Sequence, residues 1–106
     1  MRAGNSERVP DLLFSARARA DLLDIWLTVS EDNGDDTADR IIDGLLQASQ
    51  VLCEFPAAGR VEPQLRDNRL RLLNYRQWRI VYLVMADSVT VVRIVHAARD
   101  LGRLGG

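Results

Sequence analysis

The apolar positions of this chain repeat at two periods, and the change from one to the other divides it into two halves. In "VPDLLF" (Val9 to Phe14) a short apolar run carries Pro10 near its start, a placement that proline tolerates on edge strands, so a first strand is predicted there. Ser15 then stands where a helix needs an N-cap. In the segment that follows, "ARARADLLDIWLTVSED", Ala18, Leu22, Trp26 and Val29 recur at helical spacing, with Leu23 and Ile25 widening the stripe and Trp26 read as core. Asn33-Gly34 supplies a left-handed stop. Asp36, with Asp39 three residues later, reads as an acidic capping pattern suited to the positive end of a second helix. That helix has the stripe Ala38, Ile41, Ile42, Leu45, Leu46, Ser49, Leu52 and Cys53, and Pro56 ends it, which makes the two helices a hairpin.

After the loop "PAAGRVEPQ" the period becomes two. "RLRLLN" (Arg69 to Asn74), "WRIVYLVM" (Trp78 to Met85) and "VTVVRIV" (Val89 to Val95) are rich in branched and aromatic residues and are separated by stretches short enough for hairpins. They predict an antiparallel meander. In its middle strand Trp78, Ile80, Tyr82 and Val84 share one face and Arg79, Val81, Leu83 and Met85 the other, so both faces are largely apolar. With the helix hairpin on one face, the other is expected to be an open apolar surface for a partner. The ending "LGRLGG" is too glycine-rich for a stable helix. The fold class is therefore α+β: an N-terminal strand, a two-helix hairpin, a three-stranded antiparallel meander and a short C-terminal helical turn.

Composition narrows the function. At 106 residues one domain over 1–106 is expected, and no apolar stretch approaches the roughly 20 residues that span a bilayer. "MRAGNSERVP" lacks the apolar core and cleavage site of a secretory signal, which predicts a cytoplasmic protein without membrane association. One cysteine, Cys53, and one histidine, His96, give no intramolecular disulfide and no zinc-ligand spacing, so neither a metal nor another cofactor is expected. All 14 basic residues are arginine, and they are unevenly placed: residues 1–54 hold 11 acids and 5 arginines (net −6), residues 55–106 hold 4 acids and 9 arginines (net +5). The second half is thus suited to an acidic partner. The overall charge of −1 argues against a protein that grips nucleic acid chiefly through phosphates.

"RIVHAARDLGRL" (Arg93 to Leu104) holds the sharpest chemistry. His96 ends a strand, with Arg79 and Arg93 on neighbouring strands able to steady a phosphate, which is one way to build an acid-base site. The preferred reading is structural: His96, Arg99 and Asp100 form a corner that starts the C-terminal turn, because a lone histidine without a second clear acid-base partner is a weak sign of catalysis. Tyr75, Arg76 and Arg79, near the second hairpin, together with Arg71 and Arg93, are candidate anion contacts for a partner. Asp35, Asp36 and Asp39 crowd one helix start, where capping accounts for them without a metal.

The order of elements, with the stretches "SARARADLLDIWLTVSEDNG", "FPAAGRVEPQLR", "WRIVYLV" and "VVRIVHAARD", resembles the RelE/ParE toxin superfamily, ParE more closely than RelE, over roughly residues 9 to 101. The resemblance implies the toxin of a bacterial type II toxin-antitoxin pair, a non-enzymatic inhibitor of DNA gyrase neutralised by a ParD-like antitoxin whose C-terminal segment wraps it. No sequence-specific nucleic-acid binding is expected without the antitoxin. The alternative on the same scaffold is a ribosome-dependent messenger RNA endonuclease of the RelE kind, with His96, Arg79 and Arg93 as its catalytic residues.

Overall fold

The computed structural model describes residues 9–99 and 101–103. Among them the chain runs β1 (Asp11–Phe14), α1 (Ala16–Asn33), α2 (Asp35–Glu54), β2 (Arg60–Val61), β3 (Leu70–Tyr75), β4 (Trp78–Val84) and β5 (Ser88–His96), with single 3-10 turns at Pro56–Ala58, Pro63–Leu65 and Leu101–Arg103. The expected strand, helix hairpin and meander are all present. The sheet is larger than the meander, however: five strands in the order β1-β5-β4-β3-β2. β1 joins it parallel to β5, pairing Asp11 with Ser88 through Phe14 with Val91, and the two-residue β2 pairs antiparallel with β3 inside what reads in the sequence as a loop.

Helix α1 starts as its sequence predicts. The Ser15 hydroxyl accepts the Ala18 N–H at 3.0 Å and donates to the Val92 carbonyl at 2.9 Å, so one side chain caps the helix and ties it to β5. The buried stripe is rotated from the expected one. Ala18, Asp21, Ile25 and Val29 are buried, Leu22 and Trp26 are half-buried, and Leu23 is 59% exposed, because the helix turns its Ala18/Ile25 line toward β5 and leaves Leu23 on the outer side. Gly34, with φ +90°, separates the helices in a conformation glycine adopts freely. The side-chain cap is corrected, since Gly34 itself is the N-cap of α2 and supplies no side chain, while Asp35 and Asp36 do stand in the first turn, where their charge suits the positive end of the helix. Asp39 instead accepts the Trp26 indole N–H at 2.8 Å across the hairpin, and Asp35 accepts the Ser30 hydroxyl. On α2, Ala38, Leu45, Ser49, Leu52 and Cys53 are buried as expected, while Leu46 lies at the surface.

The helices cover one face of the sheet, where Trp78, Ile80, Tyr82, Val89, Val91 and Ile94 close the main core. The other face is not an open apolar surface. Leu72, Val81 and Val95 form a second core there with Leu65 and Leu101, brought over the sheet by two of the short 3-10 turns, and Leu70 and Val92 pack against it. The chain covers this face with its own connections, since a cluster of branched residues left in water would forgo roughly 25 cal/mol per Å² of burial.

Candidate functional site

One row of cross-strand partners organises the end of the sheet where the candidate residues gather. Tyr75 faces Trp78 and Trp78 faces His96 across β3, β4 and β5. Strand partners share a face, so these three rings lie on the helix side. The His96 ring meets Trp78 edge to face, with centroids 6.5 Å apart and planes at 80°. His96 is exposed, and its Nδ1 accepts the Ala98 N–H at 3.0 Å while its carbonyl accepts the Arg99 N–H at 2.9 Å. Asp100, the third residue of the expected corner, lies outside the described residues; the Arg99 guanidinium is exposed and has no acidic partner among them.

Beside His96 a groove of about 360 Å³ opens between α1 and β5, lined by Asp24, Ile25, Thr28, Trp78, His96 and Arg99 among others. Its floor holds a largely buried ion pair between β5 and α1. Arg93 donates from Nε to Asp21 Oδ2 at 2.8 Å and from Nη2 to Oδ1 at 3.2 Å, and the same carboxylate accepts the Ile94 N–H at 2.9 Å. The side chains of Arg93 and Asp21 are only 16% and 10% exposed. Asp21 thus plugs the edge of β5 just past the end of β1, where the last β1–β5 pair is Phe14 with Val91. Arg93, a candidate for partner or phosphate contact, is committed within the fold. Nothing in the sequence pattern singles out Asp21 except that an acid stands three residues after Ala18 and four before Ile25, in the middle of a buried stripe.

The remaining candidates fall elsewhere. Arg71 donates from Nη1 to the Gly59 carbonyl at 2.8 Å, next to the Tyr82 hydroxyl, which accepts the Gly59 N–H at 2.9 Å and donates to the Pro56 carbonyl at 2.6 Å. Together they fasten the turn after α2 to the sheet. A Cβ at Gly59 would lie 2.6 Å from that hydroxyl and 2.7 Å from the Leu72 carbonyl, so only glycine fits. Arg79 faces Asn74 and Val95 and therefore lies on the second face, opposite His96. Its Nε is buried without a hydrogen-bond partner among the described residues. Tyr75 is half-buried against the main core, and Arg76, first of the two turn residues between β3 and β4, lays its guanidinium 5.7 Å from the Tyr75 ring centre. The trio His96, Arg79 and Arg93 does not converge: His96 and Arg79 are on opposite faces, and Arg93 is held by Asp21.

A family model described as the ParE toxin of the type II toxin-antitoxin system parDE matches residues 12–101. The chain belongs to the ParE toxin family. Among solved structures it is similar to one described as a chromosomal ParDE toxin-antitoxin system from P. aeruginosa, with a TM-score of 0.73 and 18% identity, covering 83% of this chain and 96% of that one. A conserved hypothetical protein from Helicobacter pylori, solved in solution, aligns at 16% identity over 85% of this chain and 97% of its own, with a TM-score of 0.44. No curated protein sequence matches. The ParE match takes in both helices and all five strands except Asp11, the first residue of β1. No helix of this ParE-family chain is long and apolar enough to cross a membrane among the described residues, and no group of three or more metal-binding side chains occurs among them.

Proposed function

We propose that this ParE-family toxin inhibits DNA gyrase in the cytoplasm and is held inactive by a ParD-like antitoxin encoded beside it. The observation that carries the reading is the ParE family match over residues 12–101. Geometry supports it over messenger cleavage. An endonuclease needs its acid-base group and its phosphate-holding cations around one scissile bond, whereas His96 and Arg79 are on opposite faces and the Arg93 guanidinium is paired with Asp21. The net charge of −1 points the same way, because work inside the ribosome brings a protein close to dense phosphate. Arg76, exposed and without an acidic partner among the described residues, joins Tyr75 and Arg79 as partner contacts, while Arg71 and Arg93 serve the fold.

Induction of the toxin in cells tests this directly, with plasmid supercoiling and transcript ends followed together. Loss of negative supercoiling with intact messages is the expected result, repeated with purified gyrase and absent from translating ribosomes. Unchanged supercoiling with codon-linked cuts in translated messages would assign the protein to the RelE kind.

A further inference from the structure

Two backbone choices that cost stability meet at one contact. Arg76 has φ +52° as the first residue of the two-residue β3–β4 turn, a conformation that glycine takes freely and an L-residue resists. Gly44 stands in the middle of α2, where alanine would be the better helix former. Both serve the same side chain. A Cβ at Gly44 would lie 1.7 Å from the Tyr75 hydroxyl, so the missing side chain lets the Tyr75 ring press onto the helix. Arg76 then rests over that ring and donates from Nε to the Tyr75 hydroxyl at 3.4 Å. The result is an exposed guanidinium held in place, with no acidic partner among the described residues.

From Gly44 the same side of α2 continues at helical spacing through Ala48 and Val51, at positions i+4 and i+7, and Phe55 follows as the C-cap just past Glu54, a strip of roughly 16 Å at 1.5 Å per residue. Val51 is 45% exposed and Phe55 62% exposed. An apolar strip ending at a preorganised arginine is an anchor-and-clamp arrangement of the kind that dominates protein interfaces.

We propose that this flank of α2, from Phe55 to the Tyr75-Arg76 turn, receives an amphipathic, acid-bearing segment of the antitoxin: apolar side chains lie along Val51 and Phe55, and a carboxylate takes the Arg76 fork. The inference rests on the toxin-antitoxin reading above. A protein carboxylate fits better than a nucleic-acid backbone, because one clamped guanidinium beside exposed valine and phenylalanine suits a single acid within an apolar surface, whereas a phosphate chain calls for several free cations. The site also replaces the sheet face, which the chain covers itself.

The test uses the toxin co-expressed with the product of the adjoining reading frame, and measures affinity and off-rate for the purified pair. Arg76→Gly removes the guanidinium while relaxing the turn, so its melting temperature should hold or rise as antitoxin affinity falls at least about tenfold and its salt dependence flattens. Phe55→Ser should weaken binding comparably without unfolding a residue that is already exposed. Wild-type affinity in both variants overturns the proposal while leaving the toxin-antitoxin reading intact. The same follows if both variants keep the antitoxin and lose toxicity, which would give the surface to the cellular target. If the adjoining product does not bind the wild-type toxin at all, both readings fall together.

Discussion

Asp21→Ala strikes the fold at the floor of the groove, and its cost can be worked from the contacts. The carboxylate holds both donor nitrogens of Arg93, at 2.8 and 3.2 Å, and the Ile94 N–H at 2.9 Å. Removing one partner of a buried pair costs about 3–5 kcal/mol; the residual exposure of 16% and 10% puts this pair at the lower end, about 3 kcal/mol. Leaving the Ile94 N–H unpaired in a residue only 2% exposed adds about 1 kcal/mol. The two sum to about 4 kcal/mol, a large part of the roughly 5–15 kcal/mol that holds a domain together. Urea unfolding should show that loss as a lower midpoint at unchanged slope, and thermal unfolding as a fall of roughly 15 °C or more. Asp21→Asn keeps an acceptor for Ile94 and should lose roughly half as much. The double change Asp21→Leu with Arg93→Met, which leaves no charge stranded, should recover to within about 1 kcal/mol of wild type. An Asp21→Ala protein within about 0.5 kcal/mol of wild type would refute the reasoning, since Arg93 would then have to be solvated well enough to need no acid.

Three further outcomes follow from named contacts. Gly44→Ala gains about 1 kcal/mol of helix propensity but drives a methyl into the Tyr75 hydroxyl; overpacking of about 1–3 kcal/mol should win, and calorimetry should show the loss shrinking when Tyr75→Leu is added. His96→Gln offers an amide oxygen to the Ala98 N–H and should leave melting temperature and toxicity nearly unchanged; a folded variant whose toxicity is abolished would instead mark an acid-base group, which contributes about 10²–10⁴-fold to rate. Burial, with the Asp11 and Glu54 carboxylates, pushes the Cys53 thiol up, and burial raises the Tyr82 phenol against the lowering effect of its Gly59 bond and of Arg71. Both groups ionise first in the unfolded chain, which then binds fewer protons than the fold. Stability should therefore be full at neutral pH and decline as pH rises past about 8.5, where an unfolded thiol titrates, and a urea midpoint that rises between pH 8 and 10 would contradict it.

What could be read from the sequence was local. The Ser15 cap, the Gly34 break, the α2 stripe and the three meander strands are each carried by a few neighbouring residues whose spacing fixes the element, and they stand where the pattern puts them. The errors came from partners far apart in the chain. Asp21 looks like one more surface acid of α1 until Arg93, 72 residues later, folds onto it. Leu65 and Leu101 are isolated leucines in loops with no periodicity to mark them, yet they close the second core and turn an expected docking face into an interior. Asp36 stands in the first turn of α2, but the N-cap is Gly34, and the cross-hairpin demand of the Trp26 indole claimed Asp39. At the candidate site the sequence places Tyr75, Arg76 and His96 at strand ends, and the register brings those ends together. Which arginines keep a free head depended on acceptors, a carboxylate for Arg93 and a backbone carbonyl for Arg71, that only the folded chain supplies.

The pairing of β1 with β5 also sets the order in which the molecule can be made. β1 has its register partner 77 residues downstream, Asp11 against Ser88, and the cap of α1 closes on Val92 over the same span. A chain emerging from the ribosome can form the helix hairpin early, since that contact is local, but the hairpin waits with its apolar stripe uncovered until β5 has been synthesised and clears the exit tunnel. The sheet is completed from its ends inward, and a truncated or stalled product lacking β5 would have neither the strand that receives β1 nor the Arg93 that neutralises Asp21. Folding is thereby tied to β5, whose loss removes the partners of β1, of the α1 cap and of Asp21 together.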